Sequence, residues 1–103
     1  MARFGVRYSP RAVDDLRFVY EWGVENWGER EASEWLDYFD ALILKRLSNI
    51  PFSCALAPED PEFEFDLRQL TIRRYRILFT VIEDKVYVLR IRGPFAGGAL
   101  EID

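Results

Sequence analysis

With 103 residues, half of them hydrophobic and 16% aromatic, the chain has enough apolar material for one packed domain and is not a disordered segment. Its net charge of -4 argues against a free-standing nucleic-acid binder, which usually draws its affinity from a basic surplus. The absence of histidine and the single cysteine exclude histidine-based acid–base catalysis, Cys/His zinc sites and an internal disulfide.

The first half of the chain predicts a short strand followed by a helical hairpin. Residues 4–8 alternate apolar and other side chains, and Ser9 and Pro10 then suit the N-cap and the first position of a helix. Gly28 suits the end of this helix, and a second helix runs from there to Pro51. Because the link between the helices is short, they must pack back against each other.

Apolar side chains recur every three or four residues along both helices, which predicts the sides that face the core. In the first helix they are Val13, Leu16, Val19, Tyr20, Val24 and Trp27. In the second they are Ala32, Trp35, Leu36, Phe39, Leu42, Ile43, Leu47 and Ile50. We therefore expect Trp27 and Trp35 in the core, whereas Trp22 lies off this stripe and is a candidate contact for a partner.

The second half of the chain predicts a loop and then a β-sheet. Residues 51–65 hold three prolines and four acidic residues without either periodicity, so we interpret them as a surface loop. Strand-forming residues follow at 67–72, 75–82 and 86–92, which predicts an antiparallel meander. Residues 93–103 contain three glycines and a proline and are predicted to be a flexible tail.

The alternation of side chains in the last two strands predicts how they pair. Their apolar residues share one face only if opposed residue numbers sum to an even value, as in a pair of Phe79 with Leu89. That register requires a three-residue turn at 83–85 or an equivalent bulge. It also turns Tyr75 and Tyr87 toward the core.

The same register predicts a basic face on the side of the sheet away from the helices. It places Arg76 opposite Arg92, and Leu78 opposite Arg90. Residues 66–92 carry seven basic and three acidic side chains, although the chain as a whole is acidic. The second half is therefore a local basic field on an acidic protein.

The arginines of these strands are the candidate binding residues. A guanidinium matches the oxygens of a phosphate and stays protonated, which makes Arg68, Arg76, Arg90 and Arg92 candidates for a phosphate-binding surface. Alternatively they pair with Asp66, with the acidic loop or with carboxylates of a partner. Residue chemistry alone leaves both interpretations open.

No cofactor or metal site is predicted. Cys54 has no metal-ligand spacing around it, no glycine-rich phosphate-binding motif precedes a helix, and the helix carboxylates have the i, i+4 spacing of a solvent-exposed face. No apolar run nears the ~18 residues that span a bilayer. The N-terminus also lacks the apolar stretch of a secretory signal, so we expect a cytoplasmic protein without a membrane segment.

Four stretches of the chain resemble the RelE/ParE family of bacterial type II toxin–antitoxin toxins. They are residues 6–16 (VRYSPRAVDDL), 67–70 (LRQL), 75–79 (YRILF) and 86–92 (VYVLRIR). The resemblance implies an α+β fold of order β-α-α-β-β-β, with a helical hairpin packed on an antiparallel sheet, and we expect a single such domain over residues 1–103. It also implies an antitoxin that wraps the toxin and neutralises it, with DNA contacted only through the antitoxin.

The resemblance implies one of two activities. RelE-like members cut mRNA on the ribosome with basic residues of the sheet, whereas ParE-like members poison DNA gyrase. If the chain is RelE-like, Arg68, Arg76 and Arg92 are the catalytic candidates, since they match basic positions of the family. No histidine, tyrosine or lysine follows Arg92, and arginine is too weak an acid for the proton transfers of RNA cleavage. A ParE-like toxin directed at gyrase is therefore our preferred interpretation; the alternatives are a ribosome-dependent mRNA endoribonuclease and a decayed, non-toxic module that still binds antitoxin.

Binding to the antitoxin or target is expected from the basic face and from one tryptophan. The residues are Arg68, Arg74, Arg76, Arg90, Arg92 and Trp22. An exposed sheet edge beside a basic face suits capture of an acidic, amphipathic antitoxin segment by strand addition or helix docking.

Overall fold

The computed structural model of the protein describes residues 3–93, which fold in the order β-α-α-β-β-β. The elements are β1 (Gly5–Tyr8), α1 (Pro10–Trp27), α2 (Glu29–Asn49), β2 (Arg68–Ile72), β3 (Tyr75–Ile82) and β4 (Lys85–Arg92), with short 3-10 helices at Pro51–Ser53 and Asp60–Glu62. This α+β fold confirms the predicted class. Of the predicted tail at 93–103, all but Gly93 lies outside the described residues.

The ends of α1 are set by the residues that the sequence singles out. Ser9 has extended backbone angles, and its Oγ accepts a hydrogen bond from the N–H of Ala12 at 3.0 Å. Gly28 joins the two helices with φ 98° and ψ 161°, a conformation that residues with a Cβ rarely adopt. One glycine therefore ends α1 and begins α2, which folds the chain back into the predicted hairpin.

The hairpin packs through small residues, and this corrects part of the predicted core. The buried residues of α1 are Ala12, Val19 and Gly23. A Cβ placed on Gly23 would lie 3.0 Å from the Cβ of Ala32, so the helices approach too closely for larger side chains at that level. Val13 and Trp27, both predicted to face the core, are 42% and 45% exposed, and Ile50 after the end of α2 is 54% exposed.

The sheet has the strand order β1-β4-β3-β2. Strands β2, β3 and β4 form the predicted antiparallel meander. Strand β1 pairs in parallel with β4, which makes the sheet mixed rather than wholly antiparallel. The reason is the helical hairpin between β1 and β2. It brings the chain back to the end of the sheet at which β1 began, so β2 runs in the same direction as β1, and β4 of the meander does so too.

The β3–β4 hairpin meets the predicted register only at its open end. Ile82 pairs with Lys85 across a two-residue turn, so the predicted three-residue turn is wrong. The pairing shifts between Leu78 and Phe79, which is the alternative bulge. Beyond it the expected pairs of Arg76 with Arg92 and of Leu78 with Arg90 form, whereas Phe79 pairs with Val88 instead of Leu89.

The short turn also reverses the predicted side-chain directions at the start of β4. Tyr75 is buried as expected, and it packs on Trp35 and Phe39. In the part of β4 between the turn and the bulge, the side chains alternate between the two faces of the sheet in the opposite sense to the prediction. Val86 and Val88 therefore enter the core. Tyr87, directly opposite Thr80, is 36% exposed and lies on the face away from the helices.

The predicted surface loop covers much of that outer face. Residues 54–67, here called the covering segment, run back across the sheet, and Leu56 forms an antiparallel bridge with Arg68. Ala57 and Leu67 of this segment are buried against Leu78 of β3, with Phe63 and Leu89 packed beside them. The outer face of the sheet therefore carries a small second core instead of an open basic surface. No helix within residues 3–93 is long and apolar enough to cross a membrane.

Candidate functional site on the outer face of the sheet

Arg76 is at the centre of the predicted site, and the covering segment supplies its partner. Its Nη1 and Nη2 donate to the two carboxylate oxygens of Glu59 at 3.0 and 2.7 Å. Its Nε and Nη2 also donate to Oε1 of Gln69 on the neighbouring strand at 2.8 and 2.6 Å. Since Arg76 lowers the pKa of Glu59, the carboxyl stays ionised at neutral pH. The guanidinium thus already holds a carboxylate in two-pronged geometry.

Arg92 lies directly opposite Arg76, so two like charges meet across the β3–β4 pair. The carboxylate of Glu59 bonds Arg76. Within residues 3–93, the buried Nε of Arg92 has no hydrogen-bond partner. Two guanidinium groups and one carboxylate therefore meet at this end of the hairpin, which leaves it positive.

Arg68 does not share the environment of Arg76. Its Nη1 donates to the carbonyl oxygen of Cys54 at 2.7 Å, and its guanidinium lies 5.2 Å from the centre of the Phe52 ring. Burial raises the pKa of the Cys54 thiol, which makes this cysteine a poor nucleophile. Arg68 therefore fastens the start of the covering segment to the edge of the sheet.

Arg90, also predicted to bind a partner, is held by the first helix. Its Nε donates to Oδ2 of Asp15 at 2.9 Å, and Asp15 also accepts the N–H of Ile91 at 2.7 Å. Ser9 adds a second link, because its Oγ donates to the carbonyl of Leu89 at 2.9 Å. The bulge is therefore fixed by the first two turns of α1, and Arg90 belongs to the interior of the fold.

The remaining predicted binding residues lie elsewhere. Arg74 is exposed in the β2–β3 turn with φ 74°, next to Arg73, whose Nη2 donates to the Tyr38 hydroxyl at 3.0 Å. Trp22 is half-buried on α1 and meets Trp27 edge-on at 5.2 Å between ring centres. The structure therefore brings together Arg76 and Arg92 and separates them from the other candidates.

Three tyrosines of the fold, Tyr8, Tyr75 and Tyr87, are poorly placed to donate a proton beside Arg76. The Tyr8 hydroxyl donates to Asp40 at 2.5 Å, and its pKa is raised by burial and by this carboxylate. Burial also raises the pKa of Tyr75. Tyr87 is exposed on the correct face, but its partner Thr80 lies four residues from Arg76, about 13 Å along the strand. Within residues 3–93, no three His, Cys, Asp or Glu side chains cluster as a metal site.

Comparison with known proteins agrees with the fold and the resemblance. The family model described as ParE toxin of the type II toxin–antitoxin system parDE matches residues 6–93. The chain belongs to the ParE toxin family. A solved chain of the chromosomal ParDE TA system from P. aeruginosa has a similar fold, with a TM-score of 0.71 and 22% identity over 86% of this chain and 94% of that one. No curated protein matches significantly.

Two residues that shape the site of this ParE-family chain were not identified from the sequence. Glu59 is 17 residues from Arg76 along the chain, and Asp15 is 75 residues from Arg90. The acidic loop is one of the expected partners of the arginines, but no local pattern distinguishes Glu59 from its acidic neighbours. Asp15 lies in the second turn of α1, and nothing near it in the sequence predicts a contact with the last strand.

Proposed function

We propose that this ParE family member is the toxin of a type II toxin–antitoxin module, that it acts by docking on DNA gyrase, and that a cognate antitoxin holds it inactive. The main support is the state of Arg76, whose guanidinium already binds Glu59 and Gln69. A phosphate would have to displace a carboxylate that the fold holds in place. Binding through the surface of the domain requires no such displacement.

Cleavage of RNA without a metal would need a base for the ribose hydroxyl and an acid for the leaving oxygen. Near Arg76, Glu59 is the residue with suitable chemistry, but its ion pair lowers its pKa and makes it a weaker base. Arg92 adds a second guanidinium opposite Arg76, which is suited to holding a phosphate and not to proton transfer. This arrangement favours a binding toxin over a ribonuclease.

A ribonuclease remains the second candidate because of Tyr87. This residue is exposed on the outer face, contrary to the sequence prediction, and a phenol is able to serve as a general acid. Its distance along the strand from Arg76 argues against a shared substrate phosphate. The two activities separate cleanly by experiment.

The first experiment is induced expression of the full chain with and without its antitoxin. We expect growth arrest that the antitoxin relieves, with intact translated mRNA and disturbed plasmid supercoiling. Purified protein should inhibit ATP-dependent supercoiling of relaxed plasmid by purified gyrase. Arrest with codon-periodic mRNA cuts that Arg76→Gln abolishes would establish the ribonuclease instead, and unaffected growth would indicate a decayed module.

A further inference from the structure

The outer edge of β2 is covered by the protein's own chain over only part of its length. The N–H of Gln69 donates to the carbonyl of Ala55 at 3.0 Å, and the N–H of Ala57 donates to the carbonyl of Leu67 at 2.7 Å. Before Ala55 the chain turns through the 3-10 helix Pro51–Ser53. Within residues 3–93, no hydrogen bond joins Thr71 to a segment outside the sheet. The hydrogen bonds between β2 and the covering segment therefore end at Gln69, two residues before Thr71.

The backbone of Thr71 is oriented for a further strand. In an antiparallel pair, alternate residues point their N–H and C=O toward the partner and away from it. The Leu67 carbonyl and the Gln69 N–H point at the covering segment, so the next residue of β2 that points outward is Thr71. Thr71 is exposed, and its pairing with Arg76 continues the same register. The N–H and C=O of Thr71 thus point outward at an open sheet edge.

An apolar groove of about 330 Å³ lies between this edge and α2. Leu42 and Ile50 line it from the helix side, and Leu70 and Ile72 line it from the strand side. Ile50 is 54% exposed, although the helical pattern predicts it in the core. The groove has the size and lining to hold a few apolar side chains beside an added strand.

The rim of this groove is basic. Lys45 and Arg46 line it, and Arg73 and Arg74 follow β2 in the next turn. None of the described residues that line the groove is acidic. A second copy of the chain would bring these cations together, which disfavours self-association, whereas an acidic segment complements them. An amphipathic helix would fill the groove but leave the Thr71 N–H unpaired.

We propose that this edge and groove bind an extended acidic segment of the antitoxin, which adds a strand at Thr71 and inserts apolar side chains between Leu42 and Ile72. The inference rests on the proposed function, since it assigns a surface to the antitoxin named there. It predicts a backbone interaction whose loss is measurable at a single residue.

The test compares Thr71→Pro with Thr71→Val in the full chain. Proline removes the outward N–H without removing a hydrogen bond of the sheet, whereas valine keeps it. We expect Thr71→Pro to weaken binding of purified antitoxin at least tenfold by calorimetry, and Thr71→Val to change it less than threefold. In the unmodified protein, hydrogen exchange of the Thr71 amide should slow at least tenfold on binding.

A second pair of variants tests the basic rim. Lys45→Glu should weaken antitoxin binding about threefold to tenfold at low salt and less at high salt. Lys85→Glu makes the same charge change at the other end of the sheet and should have no effect. Wild-type binding with an unprotected Thr71 amide, or equal affinity of the Thr71→Pro variant, would overturn this inference alone. Failure of the unmodified protein to bind antitoxin would overturn the proposed function as well.

Discussion

Asp15 and Arg90 join the first helix to the last strand at the bulge of the sheet. Arg90 donates to both oxygens of Asp15, at 2.9 and 3.3 Å, and the same carboxylate accepts the N–H of Ile91. The side chains are only 11% and 15% exposed. One carboxylate therefore satisfies a nearly buried charge and a backbone donor that the irregular pairing releases.

Removing this carboxylate should destabilise the fold strongly. We expect Asp15→Ala to lower the free energy of unfolding by about 2–4 kcal/mol, because a nearly buried guanidinium and a backbone N–H lose their acceptor. Urea denaturation measures the change. Asp14→Ala is the matched control, since Asp14 is exposed and pairs with Arg17 on the surface, and it should cost less than ~0.5 kcal/mol. Equal effects of the two variants would contradict the assigned role.

The Arg76–Glu59 ion pair should make stability depend on pH. Arg76 lowers the pKa of Glu59 in the folded protein from its ordinary 4.5, so the pair stabilises the fold fully above that value. The contribution disappears as the pH falls through the lowered folded pKa. We expect Glu59→Gln to cost about 1–2 kcal/mol at pH 7 and progressively less below pH ~4.

Unfolding in urea at several pH values measures this difference. The control is Glu62→Gln, which makes the same substitution at an exposed position of the covering segment and should change stability little at any pH. A cost of Glu59→Gln that stays constant between neutral and acidic pH would rule out the ion pair as its source.

The tryptophans provide a second comparison of matched variants. Trp35 stacks on Phe39 with ring centres 4.9 Å apart and also contacts Tyr75, whereas Trp27 is 45% exposed. We expect Trp35→Ala to lower the free energy of unfolding by about 3–5 kcal/mol and Trp27→Ala by about 1 kcal/mol. Thermal or chemical unfolding tests this order, and a larger loss for Trp27 would show that the sequence-based core was correct there.

Gly93 is predicted to tolerate no side chain. A Cβ at this position would lie 2.3 Å from Cε1 of Tyr75, a ring held by Trp35 and Phe39. Gly93→Ala should therefore lower stability by about 1–3 kcal/mol, seen as a lower midpoint of thermal unfolding. Gly5→Ala is the control, because its Cβ would meet only the ends of two flexible side chains among the described residues, Lys85 at 3.3 Å and Arg7 at 3.6 Å. A Gly93→Ala protein as stable as the Gly5→Ala protein would refute the steric argument.

Much of the fold follows from local patterns in the sequence. Ser9, Pro10, Gly28 and Pro51 limit the helices where the cap and turn rules place them, since each acts on backbone groups within a few residues of itself. The three strands of the meander follow equally from runs of β-branched and aromatic residues. The sequence also resembles the family to which the chain proves to belong.

The outer face of the sheet shows where local patterns stop being informative. The alternation of side chains predicts their faces only where the strands pair regularly. The two-residue turn and the bulge in the β3–β4 hairpin break that regularity, so Tyr87 lies on the outer face and not in the core. Hydrophobic periodicity likewise expects Trp27 in the core, but Trp27 is 45% exposed at the end of α1 and its ring lies beside Gly23.

The sequence by itself determined the kinds of elements, their order and most of their ends, because those depend on interactions between neighbouring residues. Only the tertiary structure decided which charges meet. Arg90 pairs with Asp15, and Arg76 pairs with Glu59. The partners are too far apart in the chain for helix or strand periodicity to predict the pairs. Such pairs form when packing brings two elements together, and each charge then takes the nearest partner that offsets its lost hydration.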